Sequence, residues 1–195
     1  MSLVLASASL SRAAMLRAAG VPFEIVPSAV DEAALKARQR DGSMSELAML
    51  LAEAKARAVS EQHKGRIVLG ADSILECDGR GFDKAKDLDE ARHTLALLRG
   101  KAHHLLSAAV LMRDGEVLAR FAAAPRLTMR DFSDDFLDAY IAAEAEALLT
   151  SVGCYRLEGL GLQLFCAIDG DYFAILGLPL LPLMTALRRY GIVAT

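Results

Sequence analysis

Short apolar segments alternate with amphipathic stretches along the chain, and this pattern predicts strands that alternate with helices. Leu3–Ala6 has the composition of a buried strand, and the alanine-rich segment Ser9–Ala19 that follows it has helical spacing. A second apolar strand, Ile67–Leu69, runs into Gly70–Ser73, where the glycine and the aspartate indicate a turn before a further strand, Ile74–Cys77.

The rest of the chain continues this alternation, with β-hairpins between some of the helices. Helices are predicted from Ser45 as N-cap to about Gln62, over Leu88–Leu98 after Asp87, from Ser133 to about Ala143, and from Pro179 to about Gly191. Strands are predicted at Phe23–Val26, Leu105–Met112, Glu116–Phe121, Arg126–Arg130, Leu164–Ile168 and Tyr172–Leu176, with hairpin turns at Asp114-Gly115 and Asp169-Gly170. The polar stretch Lys36–Ser43 is the best candidate for a mobile surface segment. Because hairpins interrupt the βα alternation, we expect an α/β domain with a mixed sheet.

Composition and charge exclude several classes of protein. The chain has 195 residues, 54% of them hydrophobic and 24% charged, which fits one domain, or two small lobes that share a core. A formal net charge of −3 disfavours a nucleic-acid surface but leaves a local basic pocket for a small anion open. The apolar stretch Phe173–Met184 is too short to cross a bilayer, and no secretory segment follows Met1. The three cysteines lack CxxC spacing, so reduced thiols in the cytoplasm are expected.

Serines and an arginine stand where the first strand passes into the first helix. Ser7, Ser9 and Ser11 occupy alternate positions and Arg12 follows. Unpaired backbone N–H groups at a helix start attract anions, and hydroxyl and guanidinium groups add donors, so this turn could hold a phosphate. The alternative is that Ser7 or Ser9 caps the helix and Arg12 is solvated.

The same turn begins a series of motifs that resembles the Maf-like nucleotide pyrophosphatases, also called septum-formation inhibitors. The family pattern S-x-S-x-R-R-x-x-L-L is matched by Ser7–Leu16. The later family motifs are matched, in order along the chain, by Val30-Asp31-Glu32, Lys55 in a helix, Gly70-Ala71-Asp72-Ser73, Asp83-Lys84-Ala85-Lys86-Asp87, Tyr155–Gly161 and Gly177-Leu178-Pro179-Leu180. The resemblance covers essentially the whole chain. It implies a single domain over residues 1–195, with an elongated mixed sheet flanked by helices, as in inosine triphosphatases, and two lobes around a central cleft.

The resemblance implies hydrolysis of the bond between the α and β phosphates of nucleoside triphosphates. Asp72 would be the catalytic base, and Glu32 would join it in holding Mg²⁺ or Mn²⁺, which prefer oxygen ligands. Asp31 is a further candidate for this cluster. Taken without the family, Asp72 reads as an aspartate at the C-terminal end of a strand, either at a ligand site or in an Asx turn, and Glu32 as an acidic residue at a helix start.

Basic and hydroxyl side chains would bind the triphosphate. The resemblance assigns this role to Ser7, Ser9, Arg12, Lys55 and Lys84, with Lys86 a weaker choice than Lys84. Considered only as part of its helix, Lys55 reads as a solvated lysine.

The chain departs from the family pattern at three places, and some of these departures bear on the preferred base. Ser11 replaces the first of the paired arginines, Asp83 and Ala85 replace the glycine and proline around the motif lysine, and Glu158 replaces the glutamine of the branch that acts on uridine and thymidine triphosphates. A sister branch acting on 7-methyl-GTP carries glutamate at the matching position, and a carboxylate accepts from the N–H edge of guanine. That branch has an aromatic residue at Ser11 and glutamine at Ser73, so this chain matches neither branch cleanly. We expect 7-methyl-GTP, with dTTP or UTP as the alternative.

Two other classes of function stay open. One is a non-enzymatic regulator of septum formation that binds a protein partner, and the other is a general phosphatase that uses the same site. Homodimers are common in the family, although no feature of this sequence indicates one. From cysteine content, charge and apolar length we expect a cytoplasmic protein that binds neither nucleic acid nor membrane. The adjacent His103 and His104 are not taken as a metal pair, because neighbours in a strand point to opposite faces.

Overall fold

The computed structural model describes residues 2–39 and 42–195, and these residues form two compact units. The first unit contains residues up to Ser73, Leu106–Ala123 and Asp171–Thr195; the second contains Ile74–Leu105 and Ala124–Gly170. The helices are α1 Leu10–Ala18, α2 Glu32–Arg38, α3 Met44–Ser60, α4 Leu88–Leu98, α5 Asp134–Glu144, α6 Tyr172–Ile175 and α7 Leu180–Arg189. The strands are β1 Leu3–Leu5, β2 Phe23–Ile25, β3 Val68–Cys77, β4 Arg80–Phe82, β5 Ala102–Arg113, β6 Glu116–Ala123, β7 Arg126–Met129 and β8 Phe165–Asp169. The expected mixed α/β architecture is confirmed.

In the first unit, parallel strands meet an antiparallel hairpin. β1 lies between β2 and β3 and is parallel to both. β5 is the next strand after β3 in the order of the sheet, and β6 pairs antiparallel with β5. The hairpin turn predicted at Asp114-Gly115 is confirmed, and both residues have positive φ, as a type I′ turn requires. One apolar core, with Leu5, Leu69, Leu111 and Leu183 among its fully buried members, joins these strands to α1 and α7.

In the second unit, antiparallel pairing prevails. β4 pairs with the end of β3, and β7 lies between the start of β5 and β8. The predicted helices after Asp87 and Ser133 are confirmed, and each of these residues caps its helix through its side chain. Two 3₁₀ helices, Ala145–Thr150 and Leu160–Leu164, complete the unit.

The predicted turn at Gly70–Ser73 is wrong, because β3 runs without interruption from Val68 to Cys77. Gly70 is required for close packing and not for a turn. A Cβ at this position would collide with the Ala52 carbonyl oxygen in α3, so the absence of a side chain lets helix and strand approach closely.

Three further boundaries differ from the predictions. Ser43, and not Ser45, caps α3, because Ser43 Oγ accepts from the Glu46 N–H while the Glu46 carboxylate accepts from the Ser43 N–H. The segment predicted as a strand after Asp169-Gly170 is the short helix α6, capped by Asp171, and β8 pairs with β7 instead. In the predicted mobile segment, Lys36 belongs to α2, and residues 40 and 41 lie outside the described residues.

Candidate active site

Asp72 lies inside β3, yet the neighbouring strand β1 stops before reaching it. The parallel pairing ends where Leu5 faces Leu69, three residues before Asp72. Asp72 is therefore placed past the carboxyl end of β1, the edge at which ligands bind in open α/β sheets. The expectation that β3 itself ends at Asp72 is wrong. The edge is formed because β1 is the shorter strand.

Lys55 connects Asp72 to Glu32. Its Nζ donates to Asp72 Oδ1 at 2.6 Å and lies 2.8 Å from Glu32 Oε1. The Lys55 and Asp72 side chains are each 11% exposed, whereas that of Glu32 is 44% exposed. One ammonium group thus contacts two carboxylates, of which Asp72 is buried and Glu32 is partly exposed. The structure brings these three predicted residues together.

Helix α3 places Lys55 on its buried face. Leu51, Lys55 and Val59 follow one another at four-residue intervals, and all three are buried. The interpretation of Lys55 as a solvated lysine is wrong. The signal was available in the sequence, since Lys55 occupies an apolar position of an amphipathic helix, where a charge requires a partner.

Glu32 is the first residue of α2, and Asp31 is the residue before it. The Asp31 carboxylate accepts from the Ala34 N–H at 3.0 Å and so caps α2. Glu32 instead directs its carboxylate to Lys55. The two neighbouring acids therefore have different contacts, and Glu32 is the one joined to Asp72 through Lys55.

Arg12 is buried beside the carboxylate pair and is fixed by hydrogen bonds within the protein. Its Nη1 donates to the Ala71 carbonyl oxygen at 2.9 Å and its Nη2 to Ser73 Oγ at 3.1 Å, so the guanidinium contacts the residues on both sides of Asp72. Its Nε donates to the Gly177 carbonyl oxygen at 3.0 Å. Burial lowers the pKa of Arg12, and Asp72 and Glu32 act in the opposite direction. The interpretation of Arg12 as solvated is wrong.

The three serines of the first turn make contacts inside the protein. Ser9 caps α1 by accepting from the Arg12 N–H, and Ser7 Oγ accepts from the Ser9 N–H and from Arg12 Nη1. Ser11 donates to the Leu176 carbonyl oxygen at 2.8 Å. Their roles toward a triphosphate stay a prediction.

Two residues of this neighbourhood have contacts that the sequence did not predict: Gly177, known only as part of a family motif, and Ser107, which was not singled out. Gly177 has φ +108°, and a Cβ there would lie 3.3 Å from Arg12 Nε, so the glycine permits the close approach of Arg12. Ser107 is a buried hydroxyl in β5 that contacts Ser73 Oγ at 2.9 Å. The available signal was one serine inside the apolar run Leu105–Met112.

Lys84 and Glu158 belong to the second unit. Lys84 is exposed between β4 and α4, and Glu158 is exposed in a turn just before the second 3₁₀ helix. Their predicted contributions to the triphosphate and to base selection stay predictions.

Two carboxylates are the protein ligands that this neighbourhood offers a cation. Within residues 2–39 and 42–195, no group of three or more histidine, cysteine, aspartate or glutamate side chains is arranged to hold a metal ion. Mg²⁺ commonly binds through one or two carboxylates together with substrate phosphates and water. Asp72 and Glu32 converge on the same Lys55 nitrogen, so their donor chemistry fits that mode of binding.

Comparison with known proteins identifies the family. Residues 2–190 match the family model described as "Maf-like protein". A protein of Granulibacter bethesdensis named nucleoside triphosphate pyrophosphatase is 50% identical, over 97% of this chain and 98% of its own. A protein of Mesorhizobium japonicum named 7-methyl-GTP pyrophosphatase is 47% identical, over 97% of this chain and 96% of its own. A solved dITP/XTP pyrophosphatase of Mycobacterium abscessus is 18% identical, with a TM-score of 0.40 and coverage of 76% of this chain and 96% of its own. The match over nearly the whole length and the two close relatives show that this chain belongs to the Maf-like family.

Proposed function

We propose that the chain hydrolyses the bond between the α and β phosphates of nucleoside triphosphates, releasing a nucleoside monophosphate and pyrophosphate. The observation that carries this proposal is the convergence of Asp72, Lys55 and Glu32 at one sheet edge, in a family whose named relatives are pyrophosphatases. Such a reaction requires an aimed water molecule and compensation of the triphosphate charge.

Asp72 is the group proposed to orient and deprotonate the attacking water. Its carboxylate is held from two directions: Lys55 donates to one oxygen, and Arg12 fixes the flanking backbone at Ala71 and the side chain of Ser73. A general base acts efficiently only when its position is fixed relative to the water. The pair of basic residues supplies this fixation.

Lys55 is proposed to have a second role once the triphosphate arrives. Its ammonium is a compact charge with three donors; Asp72 accepts a hydrogen bond from it, and Glu32 forms an ion pair with it. Phosphate oxygens are acceptors of the same type, so Lys55 can exchange a carboxylate for a phosphate while staying paired. Arg12 is already bonded to protein atoms, and its contribution is positive charge close to Asp72. Lys84 is proposed to add a further charge to the triphosphate.

A divalent cation, Mg²⁺ or Mn²⁺, is proposed as the cofactor, with Asp72 and Glu32 as its protein ligands. When bound, such an ion offsets triphosphate charge and polarises the phosphoryl group under attack. The carboxylate pair is oxygen-only, as these hard cations prefer. The half-exposed Glu32 leaves this side of the pair open to solvent.

The preferred base is proposed to be guanine-like, with 7-methyl-GTP as the leading candidate. Glu158 can accept hydrogen bonds from a guanine N–H edge, whereas a pyrimidine carbonyl would be repelled. Relatives of this chain carry both names, nucleoside triphosphate pyrophosphatase and 7-methyl-GTP pyrophosphatase. Ser11 and Ser73 are proposed to influence specificity through the backbone and Arg12, since these are the groups that their hydroxyls contact.

No helix in the described part of the chain is long and apolar enough to cross a membrane.

The test is a profile of pyrophosphate and orthophosphate release from the common triphosphates and 7-methyl-GTP, with Mg²⁺ or Mn²⁺. We expect pyrophosphate as the first product and the highest kcat/KM for 7-methyl-GTP. Orthophosphate as the first product would indicate a general phosphatase, and dTTP or UTP as best substrate would overturn the base assignment. Absence of turnover, with a septum phenotype that survives Asp72→Asn, would favour the non-enzymatic regulator.

A further inference from the structure

Ser107 is a buried hydroxyl in an otherwise apolar part of β5. Only 2% of the residue is exposed, and its neighbours in the strand, Leu106 and Ala108, are also buried. A buried hydroxyl lowers stability unless it is hydrogen-bonded, so its partners indicate why a serine stands here.

The hydrogen bonds of Ser107 fix the direction of a chain of donors. Ser107 Oγ donates its single hydrogen to the Ala174 carbonyl oxygen at 2.7 Å. In the 2.9 Å contact between the two serine oxygens, Ser107 must therefore accept and Ser73 must donate. Ser73 Oγ in turn accepts from Arg12 Nη2 at 3.1 Å. The chain runs one way, from Arg12 through Ser73 and Ser107 to Ala174.

The same guanidinium reaches this backbone segment by a second route. Arg12 Nε donates to the Gly177 carbonyl oxygen, three residues after Ala174. Arg12 is thus connected to the segment Ala174–Gly177 both directly and through the two hydroxyls. Each connection restricts the orientation in which Arg12 contacts Ala71 and Ser73, the neighbours of Asp72.

We propose that Ser107 is a positioning residue for the active site. By accepting the Ser73 hydrogen, it keeps the Ser73 oxygen turned toward Arg12, and Arg12 then keeps β3 in place on both sides of Asp72. The inference rests on the proposed pyrophosphatase function. It adds a residue from β5 that touches neither substrate nor reacting atoms.

The experiment compares Ser107→Ala with Ser60→Ala. Ser60 is also a completely buried serine of the first unit, and it accepts from the Gly115 N–H at the hairpin turn. We expect Ser107→Ala to lower kcat for pyrophosphate release by roughly tenfold with a much smaller change in KM, because a displaced catalytic group slows the chemical step. Ser60→Ala is expected to lower Tm and leave kcat unchanged. An unchanged kcat in Ser107→Ala would overturn the proposal.

Two further variants separate positioning from a general loss of stability. Ser107→Thr retains the hydroxyl and should recover most of kcat. Ser73→Ala breaks the same chain of hydrogen bonds. The double variant Ser73→Ala/Ser107→Ala should therefore have a kcat no lower than that of the slower single variant. If the two losses in kcat multiply, the residues do not act through one shared chain. If Ser107→Ala does not fold, Ser107→Cys, with similar volume and a weaker donor, serves in its place and is expected to show reduced kcat. Wild-type protein that releases no pyrophosphate would overturn both proposals, whereas an active wild type with a fully active, folded Ser107→Ala or Ser107→Cys would overturn only this one.

Discussion

Lys55 Nζ lies 2.6 Å from Asp72 Oδ1, and both side chains are almost completely buried. The pair joins helix α3 to strand β3 at the point where β1 has ended. A buried charge is tolerated when it is paired, and here the same ammonium also forms an ion pair with Glu32. The arrangement holds the Asp72 carboxylate in a fixed position past the carboxyl end of β1.

The first prediction concerns the charge of Asp72. Asp72→Asn should lower kcat for pyrophosphate release by roughly 10²–10⁴-fold, the range expected when a general base is removed. The fold should persist, because the amide oxygen can still accept from Lys55. Pyrophosphate release and circular dichroism measure the two effects. Asp114→Asn, in a turn that accepts asparagine, is the matched control, and equal losses in both variants would contradict a specific role for Asp72.

The second prediction concerns stability. Lys55→Met should destabilise the fold by roughly 3–5 kcal/mol, because it leaves the buried Asp72 carboxylate without its cation. Adding Asp72→Asn should restore much of that stability without restoring activity. Urea unfolding of the two single variants and the double variant measures the coupling. The exposed Lys64→Met removes the same charge and should have little effect. Additive losses in the double variant would contradict the pair.

The third prediction concerns the metal ion. Chelation with EDTA should abolish pyrophosphate release, and Mg²⁺ or Mn²⁺ should restore it. The protein should stay folded without metal, since Lys55 already forms ion pairs with both carboxylates. Activity and thermal unfolding are measured in the same samples. Full activity in EDTA would exclude the proposed cofactor, and unfolding on chelation would show that the metal is structural.

A fourth prediction tests Glu158. Glu158→Gln replaces an acceptor by a group that also donates, so preference should move from 7-methyl-GTP toward UTP and dTTP. We expect the ratio of the two kcat/KM values to change by at least roughly tenfold. Glu146→Gln, a change of the same type in the first 3₁₀ helix, is the control. An unchanged ratio of the kcat/KM values would contradict a role of Glu158 in selecting the base.

A fifth prediction is a pH dependence of stability from His103. Burial lowers the pKa of His103 from 6.5 to about 4, and its Nε2 shares a hydrogen bond with the Tyr155 hydroxyl at 2.9 Å. Between those pH values the unfolded chain takes up a proton that the folded chain does not. The free energy of unfolding is therefore highest above pH 6.5. It falls by up to roughly 3 kcal/mol as the pH decreases toward 4.

His103→Gln should flatten this dependence, as measured by urea unfolding across the pH range. The adjacent His104 is partly exposed and contributes less than burial to the lowered pKa of His103, so His104→Gln serves as the control that should keep most of the slope. Equal slopes in wild type and His103→Gln would contradict the assignment.

Local signals in the sequence predicted most of the helices and the hairpin at Asp114-Gly115. Capping residues and a glycine with positive φ act over a few residues, so their effect can be read without the fold. The two main errors came from glycine and aspartate, at Gly70–Ser73 and after Asp169-Gly170. There, close packing against α3 and a cap by Asp171 decided the conformation.

By itself, the sequence determined the family and the alternation of strands and helices, along with the candidates Asp72, Glu32 and Lys55, because motif spacing and apolar periodicity are properties of the chain. Only the tertiary structure decided that Lys55 is buried between the two carboxylates, that Arg12 is bonded on both sides of Asp72, and that Ser107 completes the chain of hydroxyls. These relations join residues far apart in sequence. They depend on where β1 ends beside β3 and on which strand α3 packs against, and no local pattern encodes such distances.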